Sequence, residues 1–273
     1  MATLYIVPTP IGNLEDITLR ALRVLKEVAL IAAEDTRTSR VLTRHFNIDT
    51  PMTSYHEHNK LSKLEKIFST LESADVALIS DAGTPGISDP GFELIAAALE
   101  RGYPVVPLPG ACAITTALVG SGMATDRFLY VGFLQRKTAL RAQLQELKDR
   151  PETVVAYESP YRLSETLSLI AEIMGEHRRV CVARELSKKF EQFYRGAAGE
   201  LCAHFQAENP RGEVTLVIAG ADAGAAKWSE AQVQSALSER LAAGESLSRA
   251  ARTVSKSAGW TKNAVYQLGI END

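Results

Sequence analysis

From the first residues onward, short apolar runs alternate with stretches of helical period, and few architectures accommodate that alternation. Leu4 to Pro8 reads as a strand closed by the turn sequence PTPIGN. Leu19, Leu22 and Leu25 keep helical spacing, and the apolar run Val28 to Ala33 follows. A second helical stretch (Val41, Leu42, His45, Phe46) leads to an extended segment, Pro51 to Tyr55. Leu61, Leu64, Ile67, Phe68 and Leu71 mark an amphipathic helix; a strand is expected at Val76 to Ser80, a helix at Phe92 to Glu100 and a strand at Val105 to Leu108. Helices inserted between apolar strands supply crossover connections, so the expected sheet is mostly parallel and covered on both faces. Ligands of such sheets bind in the loops that follow the strands' carboxyl ends.

A second unit starts near Arg127. Its strands are expected at Phe128 to Phe133, Thr153 to Tyr157, Arg179 to Ala183 and Val214 to Ala219, with helices near 138–148 and 161–174. Gly220 to Lys227 (GADAGAAK) consists of small residues without an apolar period, as linkers do. Trp228 to Ile270 reads as three short helices broken at Gly259, the last pair similar to a helix-turn-helix. The expected organisation is one α/β domain over 1–126, a second over 127–220 and a small helical domain over 228–273.

An apolar fraction of 45% suits a globular chain and not a disordered one. The apolar runs are too short to cross a bilayer. The opening MATLYIVPTP has no basic residue ahead of its apolar stretch, which suits a first strand better than a secretory signal. Cys112, Cys181 and Cys202 are odd in number and lack C-x-x-C spacing, so neither a disulfide framework nor a zinc site is expected, and a reducing, cytoplasmic location is. The net charge of −3 conceals an asymmetry: Arg240, Arg249, Arg252, Lys256 and Lys262 face only Glu245 in their stretch of the chain. Arg136 to Arg150 and Arg178 to Arg195 are also locally basic, and local patches steer a polyanion more than net charge does.

The richest segment is SDAGTPGISDPG, Ser80 to Gly91, directly after an apolar strand. Its glycines permit close backbone approach to a ligand and its prolines stiffen the loop. No G-x-x-x-x-G-K-[ST] phosphate loop occurs, and Gly120 to Thr125 lacks the last glycine of a dinucleotide fingerprint and follows a helix, not a strand. PTPIGN (Pro8 to Asn13) and PLPGACA (Pro107 to Ala113) sit at equivalent strand ends. Three Gly/Pro loops converging on one sheet edge describe a site for a mid-sized organic ligand held largely by backbone groups.

PTPIGN, AEDTR (Ala33 to Arg37), SDAGTPGISDPG and PLPGACA, in this order and spacing, resemble the tetrapyrrole-methylase-like family of S-adenosylmethionine-dependent methyltransferases. The likeness runs from about Leu4 to Gly220. Where the family usually carries G-x-G-D-P, this chain has Asp81-Ala82-Gly83-Thr84-Pro85, a variant similar to the branch that modifies ribosomal RNA. The resemblance implies two α/β domains with S-adenosylmethionine folded into the cleft between them, and a homodimer. It implies 2′-O-methylation of a cytidine ribose in the decoding centre of 16S rRNA in the 30S subunit, with no membrane or metal involved. Residue by residue, it carries donor binding onto Pro8, Asp81, Ala82, Gly83, Thr84, Pro85, Asp89, Ala111, Cys112 and Ala113. Strand order adds Tyr157, Glu158, Arg184 and Glu185 from the second domain.

A ribose hydroxyl is a weak nucleophile, so a base or a stabilising cation is expected beside it. Glu34, Asp35 and Arg37, just past an apolar strand, are the catalytic candidates; the competing reading makes Asp35 a helix N-cap with Arg37 and Arg40 merely solvated, and a third has Arg37 grip an RNA phosphate. RNA contacts are expected at Lys188, Lys189, Arg249, Arg252, Lys256 and Lys262, with Trp260 and Tyr266 available for stacking; the competing reading of the tail is a dimer-packing appendage whose Leu237, Leu241 and Leu247 close a small core. His56 and His58 share a face on an extended chain but lack a convincing third ligand, and no metal is expected. Two rivals remain: a methyltransferase acting on a tetrapyrrole, and a non-catalytic nucleic-acid binder that works through its helical tail.

Overall fold

The computed structural model of the chain describes residues 2–56, 60–207, 211–221, 228–258 and 260–270, and for Lys60, Leu61, Ser62 and Lys256 the backbone alone. Glu57, His58, Asn59, most of the linker read over 220–227 and the Gly259 break lie outside the described residues. The chain forms two compact units, Met1–Lys148 with Glu152–Ala219, and Asp149–Pro151 with Gly220–Asp273.

The first unit holds two sheets. In chain order the first half runs β1 (Leu4–Ile6), α1 (Leu19–Glu27), β2 (Leu30–Ala33), α2 (Thr36–His45), β3 (Met52–Ser54), α3 (Lys60–Leu71), β4 (Val76–Ile79), α4 (Phe92–Glu100) and β5 (Val105–Pro107). The strands order β3-β2-β4-β1-β5, and every pairing is parallel. Alternate residues of each strand serve opposite faces, as the pleat requires. Leu4, Ile6, Leu30, Ala32, Val76 and Leu78 pack with Ile67, Phe68 and Leu94 of α3 and α4. Val7, Ile31, Ala33, Ala77 and Ile79 pack with Val24, Leu25 and Leu42 of α1 and α2 on the other face. Two buried faces explain why these strands are continuous apolar runs without polar alternation.

The second half continues with α5 (Ala113–Ser121), β6 (Phe128–Phe133), α6 (Thr138–Leu147), β7 (Thr153–Glu158), α7 (Leu163–Met174), β8 (Arg179–Arg184), β9 (Gln192–Ala197), α8 (Ala198–Ala207) and β10 (Val214–Ile218). This sheet is mixed, unlike the first. The order is β6-β7-β10-β8-β9, and only β6 and β7 run parallel; β10 is antiparallel to both β7 and β8, and β8 to β9. The sequence reading placed no element between Ala183 and Val214, whereas β9 and α8 fill that interval. Strand β9 is an edge strand with no fully buried side chain, so its apolar signal is weak.

Helix α5 precedes the second sheet in sequence but covers it in space. Its Ile114, Ala117 and Leu118 pack on Val155, Cys181, Ala183 and Val217. The loop that opens α5 is thereby carried from the first sheet's edge to the second sheet's face. The opposite face of that sheet is closed by α6, α7 and α8 through Leu144, Leu167, Ile170 and Leu201.

The second unit contains α9 (Glu230–Ala242), α10 (Leu247–Ala258) and α11 (Lys262–Ile270). Ser229 caps α9 with a reciprocal capping box to Gln232, which satisfies two amide donors at the helix start. Val233, Leu237, Ala250, Ala251, Val254, Val265 and Leu268 form its core. Leu247 packs against that core as expected, whereas Leu241 does not join it and is exposed. Among the described residues no helix is long and apolar enough to cross a membrane.

Candidate active site

Four of the loops that leave the carboxyl edge of the first sheet, those after β1, β2, β4 and β5, are tied together by hydrogen bonds. Thr9 and Gly83 exchange backbone bonds, each N–H donating to the other's carbonyl at 2.9 Å. The Thr9 hydroxyl donates to the Ser80 carbonyl at 3.0 Å, and Thr84 Oγ1 donates to the Ala111 carbonyl at 3.2 Å. PTPIGN, SDAGTPGISDPG and PLPGACA are therefore one assembly. Gly83 adopts φ +79, a conformation that favours glycine and lets its backbone turn back onto Thr9. Gly110 lies against the Pro8 ring: an added Cβ would sit 2.7 Å from Pro8 Cβ. Gly110→Ala is expected to cost about 1–3 kcal/mol, because a proline ring cannot rotate away. A denaturant midpoint equal to that of the parent chain would show slack between these loops.

The AEDTR segment joins the assembly through its acids. The Asp81 N–H donates to Glu34 Oε2 at 3.2 Å, and the Asp35 N–H donates to Asp81 Oδ1 at 3.1 Å. Asp35 caps α2, accepting from the Arg37 N–H at 2.8 Å, and its carboxylate also takes Arg37 Nε and Nη2. The Arg37 side chain holds the Asp35 carboxyl down to about 2, with help from the Arg37 amide. The Arg37 side chain is 85% exposed.

The loops form one wall of a cavity of about 300 Å³, and the second sheet forms the other. The first wall presents Ile11, Ala82, Gly83, Thr84, Ile87, Ser88, Asp89, Cys112 and Ala113. The second presents Phe133, Tyr157, Glu158, Ser159, Pro160 and Gly212 to Thr215. Strand β10 reaches this edge with its amino end because it runs antiparallel to β7, which pairs Val214 with Glu158. Of the residues expected to hold a ligand, Ala82, Gly83, Thr84, Asp89, Cys112, Ala113, Tyr157 and Glu158 line the cavity. Pro8, Asp81, Pro85, Ala111, Arg184 and Glu185 do not; Pro8 and Ala111 brace the loops from behind, and Pro85 is buried within its own loop. Arg184 donates to the Arg211 carbonyl at 2.9 Å and to Gln192 Oε1 at 2.6 Å.

The Asp89 carboxyl is the most perturbed acid on this wall, pushed up to about 7. Partial burial is the main cause, and the neighbouring charges of Glu34 and Asp81 add to it. Asp81 is raised in the same direction, again chiefly by burial. Opposite, burial pushes up the hydroxyls of Tyr157 and Tyr130. Glu158 is engaged inside the wall: its side chain is fully buried, accepts from the Ser159 N–H at 2.6 Å and from Thr166 Oγ1 at 2.5 Å, and pairs with Arg162.

Lys188 is committed to Glu185 at 2.8 Å and Glu213 at 3.1 Å, and its stem lies against Gly12. Lys189 is exposed, with Nζ 5.7 Å from the Phe190 ring centroid. In the second unit Arg249, Arg252 and Lys262 are exposed, and the Lys256 side chain lies outside the described residues. Trp260 packs against the helical core and donates to the Trp228 carbonyl at 2.8 Å, so its ring is partly committed to structure; Tyr266 is exposed. Among the described residues no three His, Cys, Asp or Glu come together as a metal site; His58 lies outside them.

Sequence reasoning missed Ile11, Ile87, Ser88, Phe133, Ser159, Pro160 and the whole Gly212–Thr215 segment. Ile87 and Ser88 lay inside the loop already singled out. The Gly212–Thr215 segment had no local signal, because its place follows from strand direction.

The family model described as tetrapyrrole (corrin/porphyrin) methylases matches residues 3–202 of this chain. Among curated proteins, ribosomal RNA small subunit methyltransferase I of Synechocystis sp. is 45% identical over 274 residues, covering 99% of this chain and 98% of its own length. The protein of that name from Pseudomonas aeruginosa is 44% identical and covers 98% and 97%. The one from Bacillus subtilis is 50% identical and covers 81% and 76%. Among solved structures, uroporphyrin-III-C-methyltransferase from Thermus thermophilus superimposes with a TM-score of 0.58 at 19% identity, covering 80% of this chain and 94% of that one. Diphthine synthase gives a TM-score of 0.60 at 14% identity, covering 80% and 90%. At such identities the two structures speak to the fold alone.

Proposed function

Because this chain belongs to the tetrapyrrole (corrin/porphyrin) methylase family, and within it to the proteins named ribosomal RNA small subunit methyltransferase I, we propose that it methylates a cytidine ribose 2′-oxygen in small-subunit rRNA. The observation that carries this reading is similarity over nearly the whole chain, helical tail included. The donor is S-adenosylmethionine, which supplies a methyl group already activated on a sulfonium. The cavity suits such a ligand: small residues and exposed backbone at Ala82, Gly83 and Ala113 admit close approach, and the opposite wall is aromatic.

The work left to the chain is alignment and the acceptor's proton. Holding the reacting groups in line contributes roughly 7–11 kcal/mol of barrier lowering. The bonded loops provide this rigidity, since Thr9, Gly83, Thr84 and Ala111 fix one another. We assign proton acceptance to Asp89 and not to Glu34 or Asp35. Asp89 lines the cavity and titrates near neutrality, as an efficient general base must. Asp35 is too weakly basic in its pairing with Arg37, and Glu34 is occupied with the Asp81 amide. Arg37, exposed beyond Asp35, suits an RNA phosphate. Arg249, Arg252 and Lys262 on the helical unit suit further phosphates.

A ribosomal acceptor puts the protein in the cytoplasm, in keeping with the three free cysteines. The reading includes a homodimer, which light scattering tests directly. The test of function is incubation of wild-type protein with labelled S-adenosylmethionine and 30S subunits lacking the modification, followed by mapping of the nucleotide. Label on a 2′-oxygen of 16S rRNA is the expected result. Label appearing only on an added tetrapyrrole would replace the acceptor, and absence of donor binding would sink both enzymatic readings.

A further inference from the structure

A single extra residue in β6 aims an aromatic ring at the cavity. In the register of β6 with β7, Tyr130 lies beside Val155 and the next partners are Phe133 and Tyr157, three steps on one strand against two on the other. Gly132 takes φ +69 within this interval, the conformation of a glycine bulge. Because side chains alternate faces along a strand, Phe133 without the bulge would fall on the face opposite Tyr130. With it, both rings meet Tyr157, at 5.5 Å for Tyr130 and 5.4 Å for Phe133. Phe133 nevertheless remains 58% exposed while lining the cavity. A bulge gives up a ladder position; past it the alternation resumes with Leu134 buried in the core and Phe133 left on the cavity side.

The chain after Phe133 is fixed by charge. Leu134 is buried and its N–H donates to the Tyr157 carbonyl at 3.0 Å. Arg162 donates to the carbonyls of Leu134 at 3.1 Å and Gln135 at 2.9 Å while paired with the buried Glu158. Arg136 and Lys137 follow directly, both exposed. On the neighbouring segment Tyr161, one residue past Pro160 in the cavity wall, is 89% exposed.

We propose that Phe133 is a substrate-binding residue that stacks on the nucleobase of the acceptor nucleotide at the cavity mouth, with Arg136 and Lys137 taking the adjoining phosphates. An exposed ring on a rigid mount with cations beside it is what unstacked bases bind, since every base has a π-face and sequence-specific RNA recognition targets unstacked nucleotides. The loops Ala82–Thr84 and Cys112–Ala113 line the opposite wall, so the solvent-facing side of Phe133 is left for the macromolecule. The proposal rests on the reading that RNA is the acceptor.

The experiment compares wild type with Phe133→Ala, Phe133→Leu and Phe133→Tyr on 30S subunits, with donor affinity from calorimetry and melting curves alongside. Phe133→Ala is expected to lower kcat/KM for subunits about ten- to a hundredfold, with donor affinity unchanged. Phe133→Tyr is expected to stay near wild type, and Phe133→Leu to resemble Phe133→Ala. Full kcat/KM in Phe133→Ala, or rescue by leucine as good as by tyrosine, would overturn stacking. A parallel loss of donor affinity would place the ring against the donor's adenine instead, and overturn it as well. Failure of the acceptor reading has a different signature: wild type itself would bind donor and leave rRNA unmodified.

Discussion

Asp89→Asn is expected to lower methyl transfer to 30S subunits by about 10²- to 10⁴-fold while donor affinity stays within a few-fold. The substitution keeps the shape of the side chain and its place in the cavity, and removes only its ability to take a proton. In wild type, activity should rise with pH through about 7, where Asp89 ionises, and level off above that value. The variant's residual rate should be flat over the same range. A second consequence concerns stability. The folded state keeps the Asp89 proton up to about 7, whereas the unfolded chain releases it near the ordinary carboxylate value of 3.8. The folded state therefore binds more protons between those values, so its stability falls as pH rises from about 4 to 7. Asp89→Asn escapes that loss: its melting temperature should match wild type near pH 4 and exceed it at pH 8. An unchanged rate would remove Asp89 from proton transfer, and a collapse of donor affinity would return it to the donor site.

Arg162→Ala should be the most destabilising single change near the cavity, by about 3 kcal/mol or more. Its partner Glu158 has a fully buried side chain, and losing the guanidinium leaves that charge with only Ser159 N–H and Thr166 Oγ1. The Leu134 and Gln135 carbonyls lose a donor at the same time. For a unit of this size the loss corresponds to a melting temperature lower by about 6–12 °C. Replacing both members, as in Glu158→Leu with Arg162→Met, should recover much of the stability, because the cost of a broken buried pair lies in the orphaned charge. If the double variant is no more stable than Arg162→Ala, the carbonyl bonds and not the ion pair fix this loop.

Much of the site was readable because it is local. A glycine and two prolines after an apolar run announce a loop, and the carboxyl end of a parallel strand announces where it sits. PTPIGN, SDAGTPGISDPG and PLPGACA meet at one edge because β1, β4 and β5 are adjacent and parallel. The role of AEDTR was less readable. Asp35 fits its N-cap reading, since it caps α2, and its carboxylate also holds Arg37. Lys188 looked like a phosphate ligand in a basic stretch, but Glu213, distant in sequence, claims it.

The sequence by itself determined the alternation of strands and helices, the doubly covered first sheet, the three-helix tail and the loops that line the cavity. Each follows from side-chain period, from glycine and proline backbone limits, or from a motif a few residues long. Tertiary structure alone decided that β10 runs antiparallel and brings Gly212 to Thr215 to the cavity, and that α5 packs on the second sheet. It also decided that Asp89 titrates near neutrality beside Glu34 and Asp81, and that the Gly132 bulge turns Phe133 inward. Strand direction, the company of like charges and a one-residue shift in register all depend on segments far apart in the chain. No window of sequence contains them.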